Sequence, residues 1–438
     1  MVRKQTLLTA AVPALSLNDS IRHSSQPTGT GYSWYSPASL SLSRRMRVLV
    51  LAPHPFYQDR GTPIDVSLLV TALSNRGESV DLVTYHEGQD WSYPNVTLHR
   101  IWAPRVLRGI RPGFSLAKVL CDLLLFVKAW RLVHRHKYDV IHAGEEAVFF
   151  AMFFNWIYRL PYVYDMDSSL AQQMVEQLPW LRPLAWVLNG IEARAIRRGI
   201  AVAPVCSALA DVAKAHGAST VVTLHDISQL QDSDFEPDWT LRKRLEIDGI
   251  LAMYVGNLEK YQGIELMLDS FALARREGTN MDLVIAGGHP ASIDYYRRRA
   301  AKLGVAGSVH FIGPWPSAEL GRLLAGADFL VAPRIRGVNT PMKIFPYLHS
   351  GRPVLATKLP THTQLLDDSV ALLAPAEPAG MAQAMIRLAQ DEYLRRTLGA
   401  AGKRFVQTNH LPIHYKARVN RLYDLVGDLC TRVRYVPT

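Results

Sequence analysis

Three cations crowd one short stretch, Ala332-Pro-Arg-Ile-Arg-Gly-Val-Asn-Thr-Pro-Met-Lys343. Arg334, Arg336 and Lys343 surround a flexible glycine at 337, and Asn339 and Thr340 precede a proline. Threonine is a good helix cap and proline suits the first helical position, so the spacing predicts a helix starting at Pro341. Its first N–H groups and positive dipole end, joined by the full charge of Lys343, make an anion site matched to a phosphate or diphosphate. An ordinary capped helix with surface charges is the plain alternative. Pro346 falls inside that helix and predicts a short first segment with a kink.

A second loop, Gly256-Asn-Leu-Glu-Lys-Tyr-Gln-Gly263, sets two glycines around polar residues. Lys260 can reach a phosphate, and Asn257 and Gln262 offer neutral donors, unless the loop is only a turn. Asp59-Arg60-Gly61-Thr62 precedes another helix. Its amides either close over the same phosphate from the opposite side or simply cap that helix. In Tyr164-Asp-Met-Asp-Ser-Ser169 two acids alternate, which invites a metal. Alternate residues share a side only while the chain stays extended, and this loop turns, so no metal site is expected. Asp167 remains a cleft carboxylate able to orient a hydroxyl or stabilise positive charge on a sugar ring. His142, Glu145 and Glu146 occupy a similar strand end and are weaker candidates, equally readable as solvated loop residues.

These residues need a scaffold. The 438 residues are 48% hydrophobic and 20% charged, which excludes a wholly disordered or fibrous chain. Residues 1–45, rich in Ser, Thr, Gly and Pro, read as a disordered tail. Met46–Ala52 is an apolar run suited to a central parallel strand, followed by a loop over 53–63, a helix over Ile64–Asn75 and a strand over Val80–Tyr85. The same alternation continues through Asp139–His142, a buried helix over 147–158, Pro161–Tyr164, Ile200–Pro204 and Val221–Leu224. After the acidic stretch 228–238 it restarts, with strands at 250–255, 281–286, 309–313, 329–332 and 354–356. The pattern predicts two open α/β domains in tandem, with the site where the C-terminal ends of their strands face each other.

The formal net charge is +11. Between Ile101 and Lys137 eight Lys or Arg residues stand against one acid, Asp122, interleaved with Leu123–Phe126 and Trp130. A basic amphipathic helix of this kind suits an anionic membrane surface, with Arg108, Arg111, Lys118 and Lys128 as its contacts. A core helix with a solvated basic face is the alternative. Neither zinc spacing, nor a basic zipper, nor an aromatic RNA-binding signature is present, so nucleic acid is not expected as a partner. No segment reads as membrane-spanning. Cys121, Cys206 and Cys430 lie far apart and form no framework, which favours a reducing, cytoplasmic location, peripheral on the inner membrane face.

From about Met46 to Gln407 the chain resembles the retaining glycosyltransferases of family 4, which have the GT-B fold. The resemblance rests on Gly61-Thr-Pro63, Tyr254–Gly263, Val309-His-Phe-Ile-Gly313 and Gly337–Val354. It implies two Rossmann-like domains facing across a cleft. Residues 46–227 would hold the acceptor, 228–412 a nucleotide sugar, and a last helix over 413–438 would cross back to the first domain. Together with the resemblance, Gly61, Thr62, Gly256, Asn257, Gln262, Phe311, Arg334, Arg336, Gly337, Asn339 and Thr340 are assigned to the donor, and Asp167, Lys343 and Lys260 to catalysis. No metal or tightly bound cofactor is expected, the nucleoside diphosphate sugar being substrate. Many relatives carry Arg at the position of Asn257, Lys at Gln262, Glu at Pro346 and His at Asp167. Lys343, Arg334, Arg336 and Lys260 are placed to replace the lost charge.

The expected function is therefore transfer of a sugar, a hexose in the favoured case, from a UDP-sugar in preference to a GDP-sugar. Anomeric configuration is retained and the acceptor is lipid-linked. Two readings compete: a catalytically altered GT-B protein serving interaction or regulation, favoured by the four departures, and a sugar-nucleotide epimerase or hydrolase. Acceptor-dependent release of UDP or GDP separates all three.

Overall fold

The computed structural model describes residues 45–434 apart from 57–60, 104–106, 108, 110–114 and 238. The tail expected at the N-terminus, Asp59, Arg60 and the proposed membrane contacts Arg108 and Arg111 lie outside the described residues.

The first half runs β1 (Arg47–Leu51), α1 (Gly61–Arg76), β2 (Ser79–Thr84), β3 (Val96–Arg100), α2 (Leu116–Arg135), β4 (Val140–Gly144), α3 (Ala147–Tyr158), β5 (Tyr162–Met166), α4 (Leu170–Gln177), α5 (Ala185–Arg198), β6 (Ala201–Pro204) and α6 (Ser207–Ala215). The second runs α7 (Thr240–Arg244), β7 (Ile250–Val255), α8 (Ile264–Arg276), β8 (Met281–Ala286), α9 (Pro290–Lys302), β9 (Val309–Gly313), α10 (Leu320–Ala325), β10 (Phe329–Ala332), α11 (Ile344–His349), β11 (Val354–Thr357), α12 (Pro360–Thr363), β12 (Leu372–Ala374), α13 (Pro378–Gln390) and α14 (Glu392–Asn409). The helix α15 (Pro412–Arg434) follows.

The strands form two parallel six-stranded sheets, ordered β3-β2-β1-β4-β5-β6 and β12-β11-β10-β7-β8-β9. Counted within its own half, each sheet has the doubly wound Rossmann order, with its switch point between β1 and β4 or between β7 and β10. Strands buried on both faces need apolar side chains on both. In β1, Leu49 and Leu51 pack toward α2, α3 and α6, while Val48 and Val50 pack toward α1 and α15. The second sheet is covered likewise, by α8, α9 and α13 on one face and by α10, α11 and the Val406 turn of α14 on the other.

Several boundaries differ from expectation. Helix α1 begins at Gly61, one turn before Ile64, so Gly61 and Thr62 belong to its first turn. Val221–Leu224 is no strand: Val221 makes a single parallel bridge to Val202. The last turn of α3 is not buried, since Trp156, Ile157 and Tyr158 are exposed. Helix α11 starts at Ile344, not Pro341, after two tight turns in which Pro341 and Met342 carbonyls accept from Ile344 and Phe345. Thr340 is therefore no cap. Pro346 becomes the third residue of a short helix, where no intrahelical N–H bond is lost, and it introduces no kink.

Two chain crossings join the halves side by side. The Ser228 N–H donates to the His410 carbonyl at 2.9 Å, and His410 Nδ1 lies 3.2 Å from the Asp226 carbonyl. Helix α15 then packs back on α1, where Arg76 bonds Asn420 and Asp424.

Candidate active site

At the β7/β10 switch point the end of β7 turns at Gly256, and Lys343 reaches it from the turn before α11. The Lys343 ammonium donates to the Tyr254 hydroxyl at 2.7 Å and to Gln262 Oε1 at 3.1 Å. A Cβ on Gly256 would stand 2.5 Å from Lys343 Nζ, so glycine is what lets the lysine lie against the backbone. Burial, helped by Arg334, pushes the Lys343 ammonium down to about 7. Arg334 is the second cation. It donates to the Arg336 and Asn339 carbonyls and to Asn339 Oδ1, and stacks 5.3 Å from the Tyr261 ring. Arg334 thereby shapes the loop through Gly337, where a Cβ would strike its guanidinium.

Other expected residues stand apart. Asn257, Lys260 and Arg336 are exposed at the rim. Phe311 lies on the edge strand β9 against Arg297, and no contact places it with the Lys343 group. Thr340 is buried at the junction of the halves, where its N–H faces the Cys206 sulfur. Beside it, the Gln364 amide bridges the halves, donating to the Val338 carbonyl at 2.7 Å and accepting from the Ala208 N–H at 3.1 Å.

Across the cleft, Thr62 in the first turn of α1 donates to Glu145 Oε1 at 3.1 Å and is also hydrogen-bonded to Asp167. One hydroxyl has one proton, so two ionised carboxylates cannot both accept from it. Burial and the neighbouring Asp165, Glu145 and Asp226 raise the Asp167 carboxyl well above the usual range. That shift disfavours a second negative charge beside Glu145, the carboxylate to which Thr62 donates. Glu145 follows β4 with φ +46, a left-handed conformation uncommon for a residue with a Cβ. Asp165 has a partner of its own, with His142 Nε2 3.1 Å away and the Tyr423 hydroxyl 3.0 Å from His142 Nδ1.

Lys118, expected on the lipid side, turns inward. Its ammonium lies 2.6 Å from Glu146 and 3.6 Å from Glu145. Burial alone would lower it, and the two glutamates more than offset that. Tyr254, Gln364, Asp65 and Asp226 escaped the sequence reading. Asp65 is an acid in the apolar run of α1, and that contrast is the signal that could have marked it. Tyr254 sits inside a quoted motif but looks there like an ordinary core residue.

The arrangement is bipolar: half-buried cations gather at one switch point and carboxylates at the other. Such a cleft can bind a diphosphate on one side and orient hydroxyls on the other. Comparison with known proteins accords with this. Residues 60–226 match the family described as glycosyl transferase 4-like domain, and residues 249–391 that described as glycosyl transferases group 1. The phosphatidyl-myo-inositol mannosyltransferase of Mycobacterium leprae is 24% identical over 189 residues, 42% of this chain and 49% of that protein. The chain thus spans about half the length of that curated relative. Among solved structures, sucrose-phosphate synthase from Thermosynechococcus elongatus superposes with a TM-score of 0.70 at 19% identity, over 87% of this chain and 98% of that one. Anabaena Alr3699/HepE in complex with UDP-glucose gives 0.66 at 16% identity, over 87% and 100%. The two family matches fall on the two sheets in chain order, and the chain belongs to the family 4-like glycosyltransferases of the GT-B fold.

Proposed function

We propose that this protein transfers a hexosyl group from a UDP-sugar, with retention, to a lipid-linked acceptor at the cytoplasmic membrane face. The observation that carries the reading is Lys343, a half-buried cation at the second switch point whose hydrogen-bond partners are neutral. A departing diphosphate supplies the negative charge it lacks, and Lys343 with Arg334 meets that charge as it grows. The second half, 228–412, holds the nucleotide sugar and the first half, 46–227, the acceptor. Asp167, beside Thr62, orients a sugar hydroxyl. The choice of UDP is supported by the HepE complex with UDP-glucose.

The lipid acceptor is supported by α2. Leu116, Val119, Leu120, Leu123 and Trp130 are exposed along it, with Arg131 and Arg135 exposed toward its end. The Trp130 indole bonds Tyr158, so the exposed end of α3, with Trp156 and Ile157, continues the same surface. Apolar and basic side chains together suit an anionic lipid interface. Among the described residues no helix is long and apolar enough to cross a membrane. The mannosyltransferase relative is named for a phosphatidyl-myo-inositol substrate. The test is a screen of UDP- and GDP-sugars with cell lipid extract, reading acceptor-dependent nucleotide release. Release of UDP that depends on lipid is expected. Equal release without any acceptor favours a hydrolase.

A further inference from the structure

Four aspartates converge on the acceptor side of the cleft. Asp65 comes from the second turn of α1, Asp165 and Asp167 from the end of β5, and Asp226 from the chain leaving the first half. Asp65 and Asp226 lie within hydrogen-bond reach of each other, and Asp165 and Asp167 are near enough to act on both. Asp226 is the floor, 5% exposed, while the other three are half-buried at the rim. No described residue donates a hydrogen bond to Asp226 Oδ1. Such an orphan acceptor is costly unless something outside the chain satisfies it.

The missing component is positive charge. Among the described residues no Lys or Arg comes within 4.0 Å of any of the four carboxylates. The groups that face them are His142 beside Asp165, Thr62 and Glu145 beside Asp167, and Tyr415 from α15 beside all four. None is a fixed cation. Burial and mutual repulsion hold Asp65 and Asp167 well above the usual carboxylate range and Asp226 at about 7. Burial and repulsion thus disfavour negative charge at these carboxyls, and no fixed cation of the described residues offsets them.

A neutral polyol offers hydroxyls, which leave that deficit unchanged. A primary ammonium offers three N–H donors and one positive charge to a group of acceptors short of both. We propose that the acceptor carries an ammonium group, as an amino sugar or amino cyclitol does, and that Asp226, Asp65 and Asp167 hold it. This rests on the glycosyltransferase reading and names the acceptor class for the same cleft. The amine arrives protonated, and the proton shared by Asp65 and Asp226 leaves to solvent.

The experiment is calorimetric, on the full chain saturated with UDP at pH 7. Methyl 2-amino-2-deoxyglucoside is compared with methyl glucoside and with the N-acetylated amine, each in two buffers of different ionisation enthalpy. The amine should bind at least about tenfold more tightly than either neutral glycoside and release about one proton. Asp226→Asn and Asp65→Asn should each bring the amine to the level of the neutral glycosides, with UDP affinity unchanged as proof of folding. Equal binding of amine and neutral glycosides overturns the proposal, as does an amine preference that survives both substitutions, or no measurable amine binding up to the solubility limit. Those three comparisons need only the wild type or folded variants. Failure of the chain to bind UDP at all would instead count against the glycosyltransferase reading on which the proposal stands.

Discussion

The Lys343 ammonium lies 2.7 Å from the Tyr254 hydroxyl and 4.0 Å from the centre of the same ring. One tyrosine thus offers the lysine both a lone pair and a π face. These partners stabilise a cation weakly compared with a carboxylate, which keeps the charge available for a ligand.

Lys343→Ala should weaken UDP binding by roughly 10- to 100-fold, the range of a charge-assisted hydrogen bond, while uridine affinity stays nearly constant. Calorimetry on folded protein separates the two. Equal loss of UDP and uridine would show that Lys343 supports the pocket and not the diphosphate.

The depressed Lys343 ammonium makes donor binding pH-dependent. In the free protein it titrates near 7, and a bound diphosphate raises that value. Between the two values binding takes up a proton, so affinity is greatest below pH 7 and falls as pH rises, by up to about tenfold per unit. UDP titrations from pH 6 to 9 should show this slope, and Lys343→Arg should flatten it. A flat wild-type profile would remove Lys343 from the diphosphate.

Transfer is expected to survive exhaustive chelation, because Lys343 and Arg334 supply the charge that faces the leaving group. Loss of activity restored only by manganese or magnesium would reassign the carboxylates around Asp167 as a metal site.

Lys128, Arg131 and Arg135 replaced together by Gln should reduce flotation with anionic vesicles and leave the fold intact. Binding should weaken with salt. Lys118 is excluded from this set by its pairing with Glu145 and Glu146. A wild-type protein that stays with the soluble fraction beside anionic vesicles at low salt points to a soluble acceptor.

Gly263→Ala should destabilise the second half by about 1–3 kcal/mol or more, read as a lower denaturation midpoint. Gly263 has φ +75, and an added Cβ would meet the Pro333 carbonyl oxygen at 1.9 Å. Both the backbone conformation and the close approach of the two switch-point loops require glycine there.

The strands were legible because parallel strands buried on both faces are near-continuous apolar runs, as in Val48–Ala52 and Leu283–Ala286. Strand β3, Val96–Arg100, escaped notice because it is an edge strand whose residues are only partly buried. The cation cluster was readable from Lys343, Arg334 and the glycines around them. Its form was not, since the Thr-Pro signal pointed to a helix start that the chain delays until Ile344. Lys118 was misplaced because charge patterning along a helix does not reveal which lysine finds glutamates across the sheet end. Asp65 and Asp226 could not be paired from the sequence, since only the return of the chain between the halves brings them together.

The position of α15 bears on how the protein comes into being. Val419, Leu422, Tyr423 and Val426 cover the face of the first sheet that carries Val48, Val50 and Val163. On a ribosome that face has α1 but lacks α15 while the entire second half is made, so the first half matures last although it is made first. A nascent or nicked chain ending before Tyr415 leaves the part of that face beyond α1 open to water, and such fragments should depend on chaperones or aggregate. The second sheet draws its cover from its own helices and is free to fold as soon as α14 has emerged.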